Sequence, residues 1–489
     1  LTDYELGITG ITHYSPAISI AREKNEIAYS YYSDNKYSIY KATVADFPEV
    51  EIPVDSVDFT AATLPPARHL GVNYADAGRN DRESLTAVRP ETYISKPYKP
   101  HFKLDYISNV QAGISTNTFG RGMQGSAFAI FSDMAGDQQM YTSLALNGEI
   151  YDFGGQVTYI NQRNRFSWGG SLSHIPYTSG YSYITPDTLL LNGGDYPVDN
   201  LVYEIMHIFE DQLGVFVYYP FSTTRRVEFG ASQAFYYYRI DQWNNYFDPL
   251  YGSLVGQSRK KLDAPKGFNM RMINAAYVLD NSINGLASPL RGARGRLDIS
   301  KYFGDYSFYG ITADYRKYFN LRPFTLAVRG LYNGRLDIRT KGFALNPLYF
   351  GYPWYVHGYD NYRMFNNKPM DEANFLMSQL YGDQMLIGNV ELRLPFTGPK
   401  RLSLIKTKYI YTELTLFADG ATTWSKGQYL SFNYNNINDP DNRVPLFSTG
   451  VSARINLMGA IVVEPYYAFP YAGQGFEKGF FGVNFLPGW

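Results

Sequence analysis

Strict alternation of apolar and polar side chains is the clearest pattern in this chain, and it runs through the region after His101. It is sharpest in residues 384–396, 408–419 and 447–457. In the second segment, Ile410, Thr412, Leu414, Leu416 and Ala418 share one face, and Tyr411, Glu413, Thr415, Phe417 and Asp419 share the other. The polar faces of the other two segments carry Asn389, Glu391 and Arg393, and Ser448, Ser452, Arg454 and Asn456. A period of two predicts β-strands with one apolar face and one charged face.

This alternation fits two architectures, a soluble sandwich with an apolar core and a membrane barrel with apolar residues toward lipid. Chain spacing favours the barrel, because about sixteen such runs lie between His101 and Leu486. Tight joints, as at Phe303-Gly304-Asp305 and Phe319-Asn320, alternate with long ones, predicted at residues 176–200, 242–267, 336–383 and 421–445. Short turns on one side and long loops on the other are typical of outer-membrane barrels. We therefore predict an all-β fold, a transmembrane antiparallel barrel of about 16 strands.

Composition narrows the possibilities further. The 489 residues have a formal net charge of -1, 17% aromatic residues and 46 Tyr, which suits a barrel with aromatic girdles. There is no Cys, so disulfide scaffolds, thiolate metal sites and Cys nucleophiles are excluded. The near-zero charge and the absence of long basic runs argue against nucleic acid as a partner. No apolar run approaches the roughly 18 residues of a membrane helix.

The first hundred residues have a different organisation. Residues 1–45 contain two short strands around the polar turn Ser33–Lys36, and this unit resembles one repeat of a TolB-like β-propeller. A single blade needs neighbours to close a ring, so we expect further blades to precede Leu1. Residues 46–100 contain prolines at 53, 65, 66, 90, 97 and 100, which predicts a periplasmic linker. The predicted domains are thus a partial blade (1–45), a linker (46–100) and an outer-membrane barrel (101–489).

Five motifs in the second half resemble those of the BamA-like superfamily of outer-membrane assembly and translocation barrels, also called the bacterial surface-antigen family. They are Tyr277–Asn281 followed by Pro289–Gly292, Asp314–Tyr318, Tyr355–Tyr359, Asn389–Pro395, and Phe417–Gly420 closed by Trp424. The resemblance extends over roughly residues 101–489, with the motifs in the family's order.

The resemblance implies a long loop that folds back into the barrel, where an Arg at its tip pairs with carboxylates of the wall. In this chain the loop motif is Val356, His357, Gly358 and Tyr359, and the implied wall partners are Glu391, Arg393 and Asp419. His357 occupies the position of the family's Arg, and a His lacks the bidentate fork of a guanidinium. Two alternatives stay open: Arg363 supplies the missing cation, or His357 is an exposed loop residue. If His357 enters the lumen, we expect it beside Glu391 or Asp419 with a raised pKa.

Catalytic chemistry finds little support in the sequence. None of the six His belongs to a His-Glu-x-x-His zinc motif, and there is no Gly-x-Ser-x-Gly elbow. His174 and His207 are the candidates for an outer-membrane esterase, and Asn438–Asn442 is a candidate Ca²⁺ loop, more simply a solvated turn. We therefore expect no enzymatic activity, no cofactor and no metal.

The predicted function is insertion or translocation of outer-membrane or surface proteins. The alternative is a non-catalytic barrel subunit of a larger complex with the propeller as docking module, and a diffusion porin comes third. Expected partners are outer-membrane lipid, lipopolysaccharide, client or partner outer-membrane proteins, and lipoproteins. We also predict a weak seam between the first and last strands, with Phe481, Val483 and Phe485 as the seam residues of the last strand, because Gly479, Gly482 and Pro487 weaken its pairing. The opposing first run is Phe102–Thr118.

Overall fold

The computed structural model describes residue 8 and residues 16–46 and 98–484, apart from short gaps at 22, 34–35, 109–110, 118–119, 149–151, 192, 286, 342–344, 361–367, 400–402, 408–409, 458–460, 472 and 474. The chain forms two compact units, Leu1–His101 and Phe102–Trp489. Most of the predicted linker, together with Arg363 and Phe485, lies outside the described residues.

The first unit contains a three-stranded antiparallel sheet of β1 (Ile18–Ala21), β2 (Glu26–Ser33) and β3 (Lys36–Thr43), followed by a 3-10 turn at Val44–Asp46. Ser33 pairs with Lys36, so the hairpin turns where the sequence predicts it. Its membership in a propeller stays a prediction.

The second unit is built almost entirely of strands, with one helix, α1 (Met370–Gln379), among its described residues. Its strands are β4 (Lys103–Ile107), β5 (Gln111–Asn117), β6 (Gly120–Ser132), β7 (Gln138–Gly148), β8 (Phe153–Asn161), β9 (Ser167–Leu191), β10 (Gly194–Ser222), β11 (Arg225–Phe247), β12 (Leu254–Leu262), β13 (Phe268–Asp280), β14 (Ile283–Asn284), β15 (Pro289–Gly304), β16 (Tyr306–Leu321), β17 (Phe324–Thr340), β18 (Leu348–Tyr349), β19 (Tyr381–Gly382), β20 (Gln384–Gly398), β21 (Ile405–Lys406), β22 (Tyr411–Trp424), β23 (Tyr429–Leu430), β24 (Asn442–Arg443), β25 (Leu446–Leu457), β26 (Ile461–Tyr471) and β27 (Phe480–Asn484). No helix in the described part of the chain is long and apolar enough to cross a membrane.

Twenty of these strands form one large sheet, whose long strands are antiparallel to their neighbours. Several short segments share a partner with a longer strand: β4 and β5 both pair with β6, β12 and β13 with β11, β13 and β14 with β15, and β21 and β22 with β20. The strands therefore occupy sixteen lateral positions in the described part of the chain. Strand order returns from β27 to β4, but no paired Cα positions join these two strands among the described residues.

The two faces of the sheet have the sidedness expected of a membrane barrel. On β22, Glu413 and Asp419 are buried, whereas Leu416 is 57% exposed. On β20, Glu391 and Arg393 are buried while Leu386 and Val390 are exposed, and β25 repeats the pattern. A soluble sheet does the reverse, because it hides apolar residues and solvates charges. The face that holds the buried charges is called the inner face below.

Two of the four predicted long loops are wrong. Residues 176–200 belong mainly to β9 and β10, and residues 242–267 contain the end of β11 and all of β12. Prolines and turn-type residues such as Pro186 and Pro197 misled the prediction, although proline is tolerated in a strand at the edge of a sheet. These strands of 23–29 residues are more than twice as long as the roughly 10 residues that cross a membrane.

The other joints agree better with the prediction. Long connections do separate β17 from β20 and β22 from β25, and Gly304-Asp305 is a tight turn. The turn predicted at Phe319-Asn320 lies slightly later, between Leu321 and Phe324. The predicted first strand, Phe102–Thr118, consists of two segments, β4 and β5.

Candidate functional site

The described residues of the long connection between β17 and β20 (341–383), namely 341, 345–360 and 368–383, pack against the inner face of the sheet. Loop residues and residues of β17, β20, β22 and β25 share one buried apolar cluster. Its buried members are Leu331, Phe350, Val356, Tyr359, Phe375, Leu376, Leu380, Met385, Ile387, Ala421, Val444 and Leu446. Helix α1 contributes two of them, Phe375 and Leu376. The helix begins after Pro369 and carries Asp371 and Glu372 in its first turn, where acidic side chains are favourable. The loop is therefore held to the wall over a broad apolar contact.

All four residues of the motif Val356–Tyr359 are buried in this contact. Val356 and Tyr359 are buried, and the Tyr359 hydroxyl is 2.8 Å from the carbonyl oxygen of Phe447 and 2.9 Å from that of Tyr471. Gly358 has a φ of +87°, and a Cβ there would lie 3.0 Å from the Cβ of Ala468. The loop backbone thus approaches β26 so closely that a side chain at this position would require β26 to shift.

His357 is the charged contact of the motif. Its Nδ1 lies 2.7 Å from Oδ2 of Asp419, and its backbone N–H donates to the same oxygen at 3.1 Å. Its ring stacks on Phe417 with centroids 4.2 Å apart, and Nε2 is 4.0 Å from Oε2 of Glu464. Burial lowers the pKa of His357, but the carboxylates of Asp419 and Glu464 outweigh it and raise the pKa to about 10. His357 is therefore a buried cation that the loop presents to the wall.

Asp419 also receives a bond from the wall itself. The side-chain amide of Asn389 donates to Oδ1 of Asp419 at 2.8 Å and to the carbonyl oxygen of Tyr355 at 2.8 Å. Asn389 and Asp419 are opposed in the ladder between β20 and β22, so the register of the two strands places them together. One wall pair thus binds the loop both through its backbone and through His357.

A second set of charges lies beside this contact. Arg454 on β25 is 1% exposed, and its guanidinium lies 2.9 Å from Glu391, 3.0 Å from Glu464 and 3.6 Å from Glu413. Arg393 donates to Glu391 at 2.7 Å. Counting His357 and Asp419, four carboxylates face three cations within this part of the inner face. Such charge-assisted bonds are strong when desolvated and costly to break.

The wall holds the loop at a further point that sequence reasoning missed. Arg329 on β17 donates to Oδ2 of Asp314 at 3.0 Å and to the carbonyl oxygen of Trp354 at 3.1 Å. Glu464 was missed as well, although it is the one charged residue in the run Ile461–Tyr466, which is the signal that marks it. By contrast, Glu391, Arg393 and Asp419 all lie where the alternation places them, on the inner face.

The last strand is short and makes few ladder pairs. β27 pairs with β26 at five positions, from Glu464↔Asn484 to Ala468↔Phe480. Phe481 and Val483 are exposed on the outer face, at 66% and 38%. The Tyr466 ring of β26 lies over Gly482, the one glycine in this strand, so a Cβ at that position would clash with the ring.

The other candidate residues show ordinary pairings. His174 is 2.6 Å from Asp211, and His207 lies 3.3 Å from Asp152 and 3.5 Å from Asp241. In the candidate Ca²⁺ loop, Asp439 accepts a bond from Tyr429 at 2.6 Å. Within the described residues, no group of three or more His, Asp or Glu side chains could hold a metal ion.

Comparisons with known proteins give distant likenesses only. No family model and no curated protein matches the chain. Among solved structures, it is similar to BamA from Haemophilus ducreyi lacking POTRA domains 1–3, at 13% identity over 79% of this chain and 71% of that chain, with a TM-score of 0.38. It is also similar to CdiB from Acinetobacter baumannii (11%, 78% and 64%, TM-score 0.40) and to CdiB from Escherichia coli (10%, 84% and 70%, TM-score 0.41).

Proposed function

We propose that this chain is an outer-membrane β-barrel that acts in the insertion or translocation of other outer-membrane or surface proteins. The observation that carries the proposal is the short last strand, β27, with only five positions paired to β26. On the other side of β27, no paired positions join it to β4 among the described residues, and an edge of that kind is a template for an added strand. Client strands would add beside β27 and leave into the lipid.

The sidedness of the sheet supports the membrane part of the proposal. Large apolar residues on the outer face, such as Leu386, Val390 and Leu416, are exposed where lipid would cover them. Charged residues buried on the inner face, such as Glu391 and Arg454, need an interior that supplies oppositely charged or hydrogen-bonding groups. With the barrel closed between β27 and β4, lipid and lipopolysaccharide would surround the outer face. We place the first unit, as part of a TolB-like propeller, in the periplasm.

The docked loop supports a mechanical role over free diffusion. The described residues of the loop 341–383 are bound to the inner face by an apolar cluster and by the contact between His357 and Asp419. A porin needs an open aqueous lumen, which this loop would obstruct. The proposed role involves no covalent chemistry and no cofactor; the loop steadies the wall while the seam opens.

Crosslinking of the seam tests this proposal, and the absence of native Cys makes introduced thiols unambiguous. Val483→Cys is combined in turn with single Cys substitutions at each position of β4, Lys103–Ile107, to find the pair that forms a disulfide. Tyr467→Cys with Phe481→Cys, which are opposed between β26 and β27, is the matched control. The purified chain is reconstituted in lipid vesicles, and the folding rate of an unfolded eight-stranded outer-membrane barrel is measured.

We expect the chain to accelerate folding over empty vesicles, the seam disulfide to abolish the acceleration, reduction to restore it, and the control disulfide to leave it unchanged. Acceleration that persists with a closed seam would overturn insertion at this edge. A chain that gives no acceleration at all would favour the alternative, a non-catalytic subunit whose propeller docks partners.

A further inference from the structure

Strand β9 extends far beyond its neighbour β8 and leaves an open edge on the sheet. β8 pairs with β9 only from Trp168 to His174, whereas β10 pairs with it along its whole length, Ser167–Leu191. Within the described residues, Pro176–Leu191 therefore has a strand on one side only. This part of β9 lies at the same end of the sheet as the loop 341–383, because an up-and-down strand order puts both connections on one side.

Two prolines bound the usable part of this edge. The N–H groups of a strand point alternately to its two neighbours, so residues of equal parity point to the same side. Pro176 and Pro186 have equal parity, and both lie within the continuous register between β9 and β10. Because proline has no N–H to give that ladder, its position fits the open side. The donors that point outward between them are then the N–H groups of Thr178, Gly180, Ser182 and Ile184.

The chemistry of this edge is aromatic and acidic. Tyr177, Tyr181 and Tyr183 share one face of β9 and are 47%, 63% and 40% exposed. The hydroxyl of Tyr177 donates to Glu210 at 3.0 Å, and that of Tyr183 donates to Glu204 at 3.0 Å. Residues 166–224 contain no Lys or Arg, against six acidic residues: Asp187, Asp195, Asp199, Glu204, Glu210 and Asp211. A basic side chain set over these tyrosines would meet both ring faces and carboxylates.

The opposite face of the edge carries only small side chains at its centre. Thr178, Gly180 and Ser182 are exposed there, and they leave room for larger residues of an added strand. An occupant that fits both faces alternates apolar residues, placed over the small side chains, with Lys or Arg, placed over the tyrosines.

We propose that the edge Tyr177–Thr185 is a docking site for an extended segment of a partner protein, which adds to the sheet as a strand and carries Lys or Arg toward Glu204 and Glu210. A second copy of this chain fits less well. Symmetric pairing of two such edges would bring the acidic clusters of both copies onto the same face, where like charges repel. The site is separate from the seam beside β27 and does not depend on the insertion activity.

Binding of synthetic peptides to the full chain in detergent micelles tests the proposal. The probe is a fluorescent nine-residue peptide of alternating Lys and Val with blocked ends, and anisotropy reports its binding. One control peptide has Glu in place of Lys. The other keeps every side chain but carries N-methyl groups on alternate residues, which removes the backbone donors of one edge. We expect the N-methylated peptide to bind about tenfold more weakly or worse, since it loses several hydrogen bonds, and the Glu peptide to show no binding.

Variants of the chain locate the site. Ser182→Pro removes an outward donor inside the window, and Thr188→Pro removes one of equal parity beyond Pro186. Glu204→Gln with Glu210→Gln removes the acidic pair, and Asp199→Asn makes the same kind of change on the opposite face of β10. We expect about tenfold weaker peptide binding for Ser182→Pro and for the double variant Glu204→Gln with Glu210→Gln. The controls Thr188→Pro and Asp199→Asn should bind the peptide as the wild-type chain does.

Several outcomes would overturn the proposal. Equal affinity of the N-methylated and parent peptides with wild-type chain would show charge attraction without strand addition, and this arm does not depend on the folding of any variant. Failure of the Lys/Val peptide to bind, or full binding by Ser182→Pro, would have the same effect. If the chain forms a dimer that Ser182→Pro dissociates, the occupant of this edge is a second copy of the chain and not a segment of a partner protein.

Discussion

Nδ1 of His357 lies 2.7 Å from Oδ2 of Asp419, and the backbone N–H of His357 reaches the same oxygen. One carboxylate of the wall thus receives both a backbone and a side-chain donor from the loop. The position of the loop and the protonation of His357 are therefore coupled.

The first prediction concerns the pH dependence of this coupling. The folded-state pKa of His357, about 10, lies above the unfolded value of about 6.5. The stabilisation is full below the unfolded pKa and is lost as pH rises through the folded one. We expect protease protection of the loop 341–383 to be greatest below about pH 6.5, to decline as the pH rises from there to about 10, and to change little above that. His357→Arg should keep its protection over that range, because Arg stays charged. Identical pH profiles for both proteins would show that His357 does not pin the loop.

A second prediction separates two costs of substituting Gly358. Gly358 and Gly427 both have positive φ, at +87° and +92°, but a Cβ at Gly358 would lie 3.0 Å from Ala468 whereas nothing lies within 4 Å of one at Gly427. Gly427→Ala should cost about 1 kcal/mol from backbone conformation alone. Gly358→Ala should cost at least about 1 kcal/mol more and release the loop, because β26 must also move. Urea unfolding and proteolysis of the two variants measure this difference; equal costs would mean that the close approach to β26 is unimportant.

Some of these structural features can be predicted from the sequence and others cannot. Glu391, Arg393 and Asp419 are predictable because unbroken alternation assigns every residue of β20 and β22 to a face. His357 is identifiable only through the motif around it, since nothing local reveals that a loop histidine folds back to β22. The extension of β9 and β10 is hidden, because Pro186 and Pro197 indicate a turn unless it is known that the strand lies at a sheet edge. Arg329 is hidden too, since its partner is a carbonyl of a loop 25 residues away.

A third prediction concerns Arg454, which contacts three buried carboxylates. Arg454→Gln leaves Glu391, Glu413 and Glu464 without their shared cation, and we expect a loss of about 3–5 kcal/mol in unfolding free energy. The matched control is Arg339→Gln, which breaks an exposed pair with Asp337 and should cost less than about 1 kcal/mol. Urea unfolding in lipid vesicles gives both values. Adding Glu464→Gln to Arg454→Gln should recover part of the loss, and a double variant no more stable than Arg454→Gln would argue against charge imbalance as the cause.

The last prediction tests which medium surrounds the outer face. Leu416 is 57% exposed and projects from the middle of β22, on the face opposite the charges. If lipid covers this face, Leu416→Lys should cost about 2–4 kcal/mol, because the ammonium must be desolvated or drawn toward the headgroups. In a water-exposed sheet the same substitution would stay within about 0.5 kcal/mol. Phe432→Lys, at a 76% exposed site between β22 and β25, is the control and should be near neutral in either case. Unfolding free energies in vesicles decide the matter: two equally neutral substitutions would place the outer face in water and remove the basis of the membrane assignment.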